Sequence, residues 1–219
     1  GITWTIRTSG TGQSLYGVTY GNGTFVAVGA YAVIVSSTDG IIWTDRSVTN
    51  DGNKTLLEVN YGNGLFVTVG YRGVSWVSSD GITWTYVNTR GSGGTGLGTM
   101  MYDSTYGNGL YVAVGTDRVI ITSYNGTSWT QRKSAESGSS LFYGVHYGNG
   151  LYNVVGSNGV IYGSSDGTTW TPKVSGTTVT LIDIAYGINT YVVVGSEIIL
   201  TSSDGTTWTS HTASGMTLN

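Results

Sequence analysis

The chain of 219 residues contains no cysteine. That removes disulfides, thiolate metal ligands and cysteine nucleophiles. Proline occurs once, at Pro172, against 36 glycines. Only 10% of the residues are charged and the net charge is −3. A nucleic-acid binder is usually basic overall, so that class is excluded as a first reading. No run reaches the roughly 18 apolar residues that a membrane helix needs. No secretory leader is visible. No segment keeps a helical period over ten residues, so almost no helix is expected. The two histidines, His146 and His211, fall in different strand classes without a second His or Cys at ligand spacing, which argues against a zinc site.

What is present is a repeat. Five times the chain reads Tyr-Gly-Asn-Gly or a close variant, then an alternating apolar run, then Ser-x-Asp-Gly-x-x-Trp-Thr or a close variant. The copies start at Tyr20, Tyr61, Tyr106, Tyr147 and Tyr186, spaced 41, 45, 41 and 39 residues apart, and end at Trp43, Trp84, Trp129, Trp170 and Trp208. A period near 40 residues with several short strands per period points to a propeller. One 40-residue unit cannot bury its own apolar face, so the repeats are expected to form one domain over 1–219. Their approximate bounds are 14–46, 55–87, 100–132, 141–173 and 180–212.

Within the second repeat, Leu56–Tyr61 alternates and makes the innermost strand. Gly62-Asn63-Gly64 is a turn, since Asn-Gly accepts positive φ at low cost. Leu65–Gly70 is a near-continuous apolar strand, Val74–Ser79 a third, and Ile82–Val87, carrying Trp84, the outermost. The fold class is therefore all-β: a five-bladed propeller of four-stranded antiparallel blades, with six blades as the alternative. Residues 1–8 repeat the outer-strand signature, because Gly1-Ile2-Thr3-Trp4-Thr5 matches residues 81–85. Either this extra outer strand or the one at 205–212 is expected to close the ring in the last blade. The other would be surplus and open to self-association.

The turns before each tryptophan contain Asp39, Asp80, Asn125, Asp166 and Asp204, in contexts such as Ser78-Ser79-Asp80-Gly81-Ile82-Thr83-Trp84. This resembles the Asp-box, or bacterial-neuraminidase repeat, of sialidase-like propellers, over nearly the whole chain. The usual box has one more residue between Asp and Trp, and Asn125 replaces Asp in the third copy. The resemblance implies that these Asp, Asn and Trp residues are structural. Side chains of this type accept backbone N–H bonds in their own turn, and the tryptophans are expected to pack between blades. It also implies a non-catalytic member. Catalytic sialidases carry an arginine triad, a Tyr/Glu pair, an acidic acid/base residue and a Phe-Arg-Ile-Pro motif, and no such set occurs here.

Glu58, Asp103 and Asp183 occupy the same position of three inner strands, where the other two repeats have Gly17 and Gly144. Inner strands line a propeller's channel, so these acids are candidates for a cation site, a channel-water network or plain solvent-facing residues. A glycosidase would need paired carboxylates about 5–9 Å apart. Gly91–Gly96 fits G-x-G-x-x-G without a following helix and is an insertion rather than a phosphate cradle.

Two periodic loop positions mark the candidate ligand face. Two residues after each second strand come Tyr31, Arg72, Asp117, Asn158 and Glu197. Three residues after the tryptophans come, among others, Arg46 and Arg132, and Arg90 and Arg118 lie nearby. All nine Lys and Arg residues fall in these two loop classes or at their borders, so charge is expected to separate between the two faces. Arg forks and aromatic platforms there suit a glycan or protein surface. The functional expectation is a non-catalytic binding or adhesion module without cofactor. The alternatives are a structural or assembly component and, remotely, a glycosidase. Low Lys and abundant Ser, Thr, Gly and Tyr suit an extracellular or virion-surface setting.

Overall fold

The computed structural model describes residues 3–48, 54–89, 100–133 and 140–212. Arg90 and the 91–96 insertion lie outside the described residues. Five sheets of four antiparallel strands follow one another along the chain. Blade 1 contains β1 (Leu15–Gly21), β2 (Thr24–Gly29), β3 (Ile34–Ser37) and β4 (Thr44–Asp45). Blade 2 contains β5 (Leu56–Gly62), β6 (Leu65–Gly70), β7 (Val74–Ser78) and β8 (Thr85–Asn88). Blade 3 contains β9 (Met101–Gly107), β10 (Leu110–Gly115), β11 (Ile120–Ser123) and β12 (Thr130–Lys133). Blade 4 contains β13 (Phe142–Gly148), β14 (Leu151–Gly156), β15 (Ile161–Ser164) and β16 (Thr171–Lys173). Blade 5 contains β17 (Leu181–Gly187), β18 (Thr190–Gly195), β19 (Ile198–Ser202) and β20 (Thr209–Thr212). The helical content among the described residues is four three-residue 3-10 turns.

Each hairpin between the first two strands of blades 1 to 4 turns on Asn-Gly with both residues at positive φ, for example Asn63 at 46° and Gly64 at 75°. That is the geometry whose twist matches paired strands. The Ser-x-Asp-Gly turns are held by their own side chains. Asp80 accepts N–H bonds from Ile82 and Thr83, both at 2.8 Å, and Ser78 Oγ accepts from Gly81 N at 2.9 Å. The same pattern recurs at Asp39, Asp166 and Asp204, and Asn125 accepts from Thr127 and Ser128. These bonds favour the charged form and hold the four aspartates below the ordinary carboxylate range.

Blades join through a repeated knob and socket. In blades 2 to 5 the tyrosine near the end of the inner strand lies over the glycine ending the inner strand before it. A Cβ on Gly62 would sit 2.1 Å from the Tyr106 ring, and one on Gly107 2.1 Å from Tyr147. In blades 3 to 5 the second-strand tyrosine donates its hydroxyl to that same glycine's carbonyl: Tyr111 to Gly62, Tyr152 to Gly107 and Tyr191 to Gly148. Knob and second-strand rings pack in a tilted arrangement 4.5–4.6 Å apart, and Trp43, Trp84, Trp170 and Trp208 lie 6.1–6.4 Å from the second-strand ring of their own blade. The tryptophans thus stack within a blade as well as bordering the apolar layer shared with the blade before it.

Two expectations about the ends need correction. Residues 3–8 form no strand and are exposed, so they neither close the ring nor present a strand edge for self-association. β20 pairs with β19 in its own repeat, so among the described residues no strand is exchanged between the first and last blades. The physical reason is that an outer-strand sequence becomes a strand only beside a third strand, and none is available to residues 3–8. Inner strands pack in the order β1, β5, β9, β13, β17, and the four apolar layers between blades follow that order. The facing surfaces of blades 5 and 1 are not packed in this way.

Candidate functional site: the channel mouth on the loop face

The turns joining second and third strands lie at the end of the molecule where each inner strand begins. Backbone bonds fix this: Ala30 N to Ser14 O, Tyr71 N to Thr55 O, Thr116 N to Met100 O, Ser157 N to Leu141 O and Ser196 N to Thr180 O. At the tips stand Tyr31, Arg72, Asp117, Asn158 and Glu197, all exposed and all left-handed, with φ between 57° and 64°. Only Asn158 and Asp117 are at ease there; Tyr, Arg and Glu carry a local conformational cost of about 1 kcal/mol. Four of these tips sit in three-residue 3-10 turns and Glu197 in a shorter two-residue turn, so similar left-handed tips present five different side chains. The Arg72 guanidinium lies 5.5 Å from the Tyr71 ring centroid.

Beside these tips is a feature that pattern reading missed. Every inner strand carries a bulge at its second residue: Tyr16, Leu57, Tyr102, Tyr143 and Ile182 are skipped in the pairing with the second strand. A bulge re-aims a side chain away from the regular alternation. At the start of the inner strands of blades 3 and 4 the Tyr102 and Tyr143 rings meet 5.3 Å apart. Burial and its neighbour Tyr143 raise the Tyr102 hydroxyl above its ordinary pKa. Their shared position, one residue before the inner-strand acid or glycine, was the available signal.

The next residues inward are Gly17, Glu58, Asp103, Gly144 and Asp183. The three acids feel one another across the channel: burial pushes Glu58 up to about 7 with Asp183 adding to it, and Asp103 is driven well upward by burial and by Glu58. Their oxygens serve the backbone. Glu58 accepts from Val59 N at 2.9 Å and Asp183 from Ile184 N at 2.7 Å. Asp103 accepts from Ser104 N and, across the joint, from Val145 N, both at 2.7 Å. Among the described residues, no group of three or more His, Cys, Asp or Glu is arranged to hold a metal ion. His146, half-buried on the same channel, has its pKa lowered by burial, with Asp183 opposing.

The outer-strand arginines do not join the mouth. Arg46 donates from Nε to Ser36 Oγ at 3.2 Å and Arg132 to Thr122 Oγ1 at 2.8 Å, so both lie along their own blade. Arg46 shares a groove of about 290 Å³ with Asp39 and with Ile82 of blade 2. Lys173 shares one of about 220 Å³ with Asp166 and Thr206 of blade 5. In each groove a cation and a box-turn aspartate line the same surface. Arg118 is half-buried beside Asp117, at φ 54°.

No family model matches the sequence, and no curated protein sequence does. Solved structures do match in fold. One is YCF48 bound to D1 peptide, with 19% identity and TM-score 0.66 over 90% of this chain and 66% of that one. YCF48 from Cyanidioschyzon merolae has 17% identity and TM-score 0.70 over 96% and 75%. A chain of the nidogen/laminin complex has 12% identity and TM-score 0.64 over 86% and 75%. The chain thus spans just under two thirds of the first of these. Fold and comparison together define a five-bladed, all-β propeller.

Proposed function

We propose that the chain is a non-catalytic binding module that holds a protein or peptide segment across the channel mouth of its loop face. The carrying observation is the union of the bulge-presented Tyr102 and Tyr143 rings with five chemically different side chains, each left-handed, at the tips of the surrounding turns. Aromatic groups supply contact area, and the polar rim supplies orientation, as interfaces generally divide the work. The variety at the rim favours one asymmetric partner over five equal sugar pockets. The peptide-bound YCF48 and the nidogen/laminin complex show that propellers of this shape are found with protein partners, which supports the reading. The channel acids are engaged with backbone N–H groups, which fits a structural part better than an acid/base pair.

The test is a peptide-display selection run beside a glycan array, with Tyr102→Ala/Tyr143→Ala and Arg72→Glu as variants. Peptides whose affinity falls at least about tenfold in the double variant, with Arg72→Glu altering salt dependence, support the proposal; each lost hot-spot contact is typically worth about 1–2 kcal/mol or more. Glycan hits indifferent to these residues, or peptide hits insensitive to all three substitutions, contradict it.

A further inference from the structure

Four of the joints around the channel are made from the same parts, and a fifth set of the same parts stands unused. Gly187, the socket of blade 5, has nothing within 4 Å of an added Cβ, and Tyr20, the knob of blade 1, is 57% exposed. On blade 5, Val192 and Val194 are 38% and 41% exposed, whereas the equivalent valines of blades 1 to 3 are at 0–1%. On blade 1, Val18 is 63% exposed and its counterpart Val59 is at 1%. Gly40, in the box turn of blade 1, meets only its own Phe25, whereas Gly81 and Gly126 press on the blade before them. The two open faces are thus the two halves of the joint already formed four times. Apolar faces of this kind are rarely left to water.

Residues 3–8 identify what fits between them. They carry the outer-strand sequence, yet Trp4 is 88% and Ile6 97% exposed, with no strand beside them. They run next to the open face of blade 1: Arg7 and Ser9 line a cavity of about 340 Å³ with Tyr16, Val18 and Trp43. A complete blade from a second copy would bring its own outer strand, such as β20, to an edge that residues 3–8 are placed to take. A unit of three strands would not. We propose that the space between blades 5 and 1 is the seat of a sixth blade, made of three further strands of this chain's own repeat type and completed by residues 3–8 as its outer strand. In that seat the newcomer's tyrosine knob covers Gly187 and its socket glycine receives Tyr20.

The sequence supplies its own graft. Residues 55–80 end in Ser78-Ser79-Asp80, and residues 1–5 repeat residues 81–85 letter for letter, so joining 55–80 to Gly1 rebuilds an unbroken repeat. The chain as it stands is expected to be monomeric in sedimentation and to bind the apolar dye ANS. The graft is expected to reduce dye binding several-fold and raise Tm by about 5 °C or more. Gly187→Glu is expected to leave the ungrafted chain unchanged and to cancel the gain in the graft. A second graft, residues 180–204, guards against a poor junction. Undiminished dye binding without a gain in Tm in both grafts overturns the proposal. So does a concentration-dependent dimer of the ungrafted chain, which would assign the seam to a second copy. An ungrafted chain that binds no dye would show the seam already shut, and that too overturns the proposal.

Discussion

Placing an alanine in a blade socket separates a filled joint from an open one. A Cβ on Gly107 would lie 2.1 Å from the Cγ and Cδ1 atoms of Tyr147. Carbon atoms in contact prefer about 3.5–4.0 Å, so the ring must retreat by more than about 1 Å or swing out of the joint. Gly107 is not in the left-handed region, so alanine brings no backbone penalty of its own and the whole effect is steric. Overpacking of this kind costs about 1–3 kcal/mol, and a backbone-flanked ring has little room to yield, so about 3 kcal/mol is expected for Gly107→Ala. For a domain of this size that lowers Tm by about 6–12 °C. Gly187→Ala makes the same chemical change where no atom lies within 4 Å, and should stay within about 0.5 kcal/mol. Thermal or urea denaturation of the two variants beside the parent reads the difference. Equal losses would refute the reasoning, because they would mean that Tyr20 fills Gly187's socket.

Tyr152→Phe removes the hydroxyl that satisfies the Gly107 carbonyl and should cost about 1–2 kcal/mol by denaturant titration; Phe66→Tyr, at the blade 2 position lacking this hydroxyl, should not destabilise. Glu58, raised to about 7, keeps its proton in the folded chain while the unfolded chain loses it near 4.5. Its contribution therefore declines as pH rises from about 4.5 to 7, by about 1–3 kcal/mol, and Asp103 acts in the same direction. Glu58→Gln should flatten that decline and raise Tm at about pH 8, measured by calorimetry across roughly pH 4–8. Ile188, exposed at φ 50°, replaces the Asn of the other hairpins, and Ile188→Asn should gain about 1 kcal/mol by relieving a β-branched residue in the left-handed region.

Much of the fold was legible because its signals are local and repeated. Asn-Gly pairs fix hairpins through two dihedrals, and alternation assigns the inner strands. The Ser-x-Asp-Gly turn carries its own hydrogen-bond partners, so Asp80 and Gly81 need no distant help. The mouth was legible only in part. Tyr31, Arg72, Asp117, Asn158 and Glu197 were found by position. Tyr102 and Tyr143 were not: their shared place one residue before the acid or glycine was visible, but the bulge that turns them is a property of two strands in register. Residues 1–8 misled for the converse reason: the motif is complete, but a strand exists only with a neighbour, and the described residues 3–8 have none. The acids at 58, 103 and 183 were legible as one shared position of the repeat, while the bond from Val145 N to Asp103 depends on packing across blades.

Hydroxyl-radical footprinting of residues 1–219 in solution tests the central claim directly, because the repeats supply matched side chains in unequal surroundings. Modification of Tyr20 should run several-fold faster than that of Tyr61, Tyr106 and Tyr147, and Val18 should outpace Val59 and Val145. Equal rates across each matched set would contradict a stack of five blades with four sealed joints and one open.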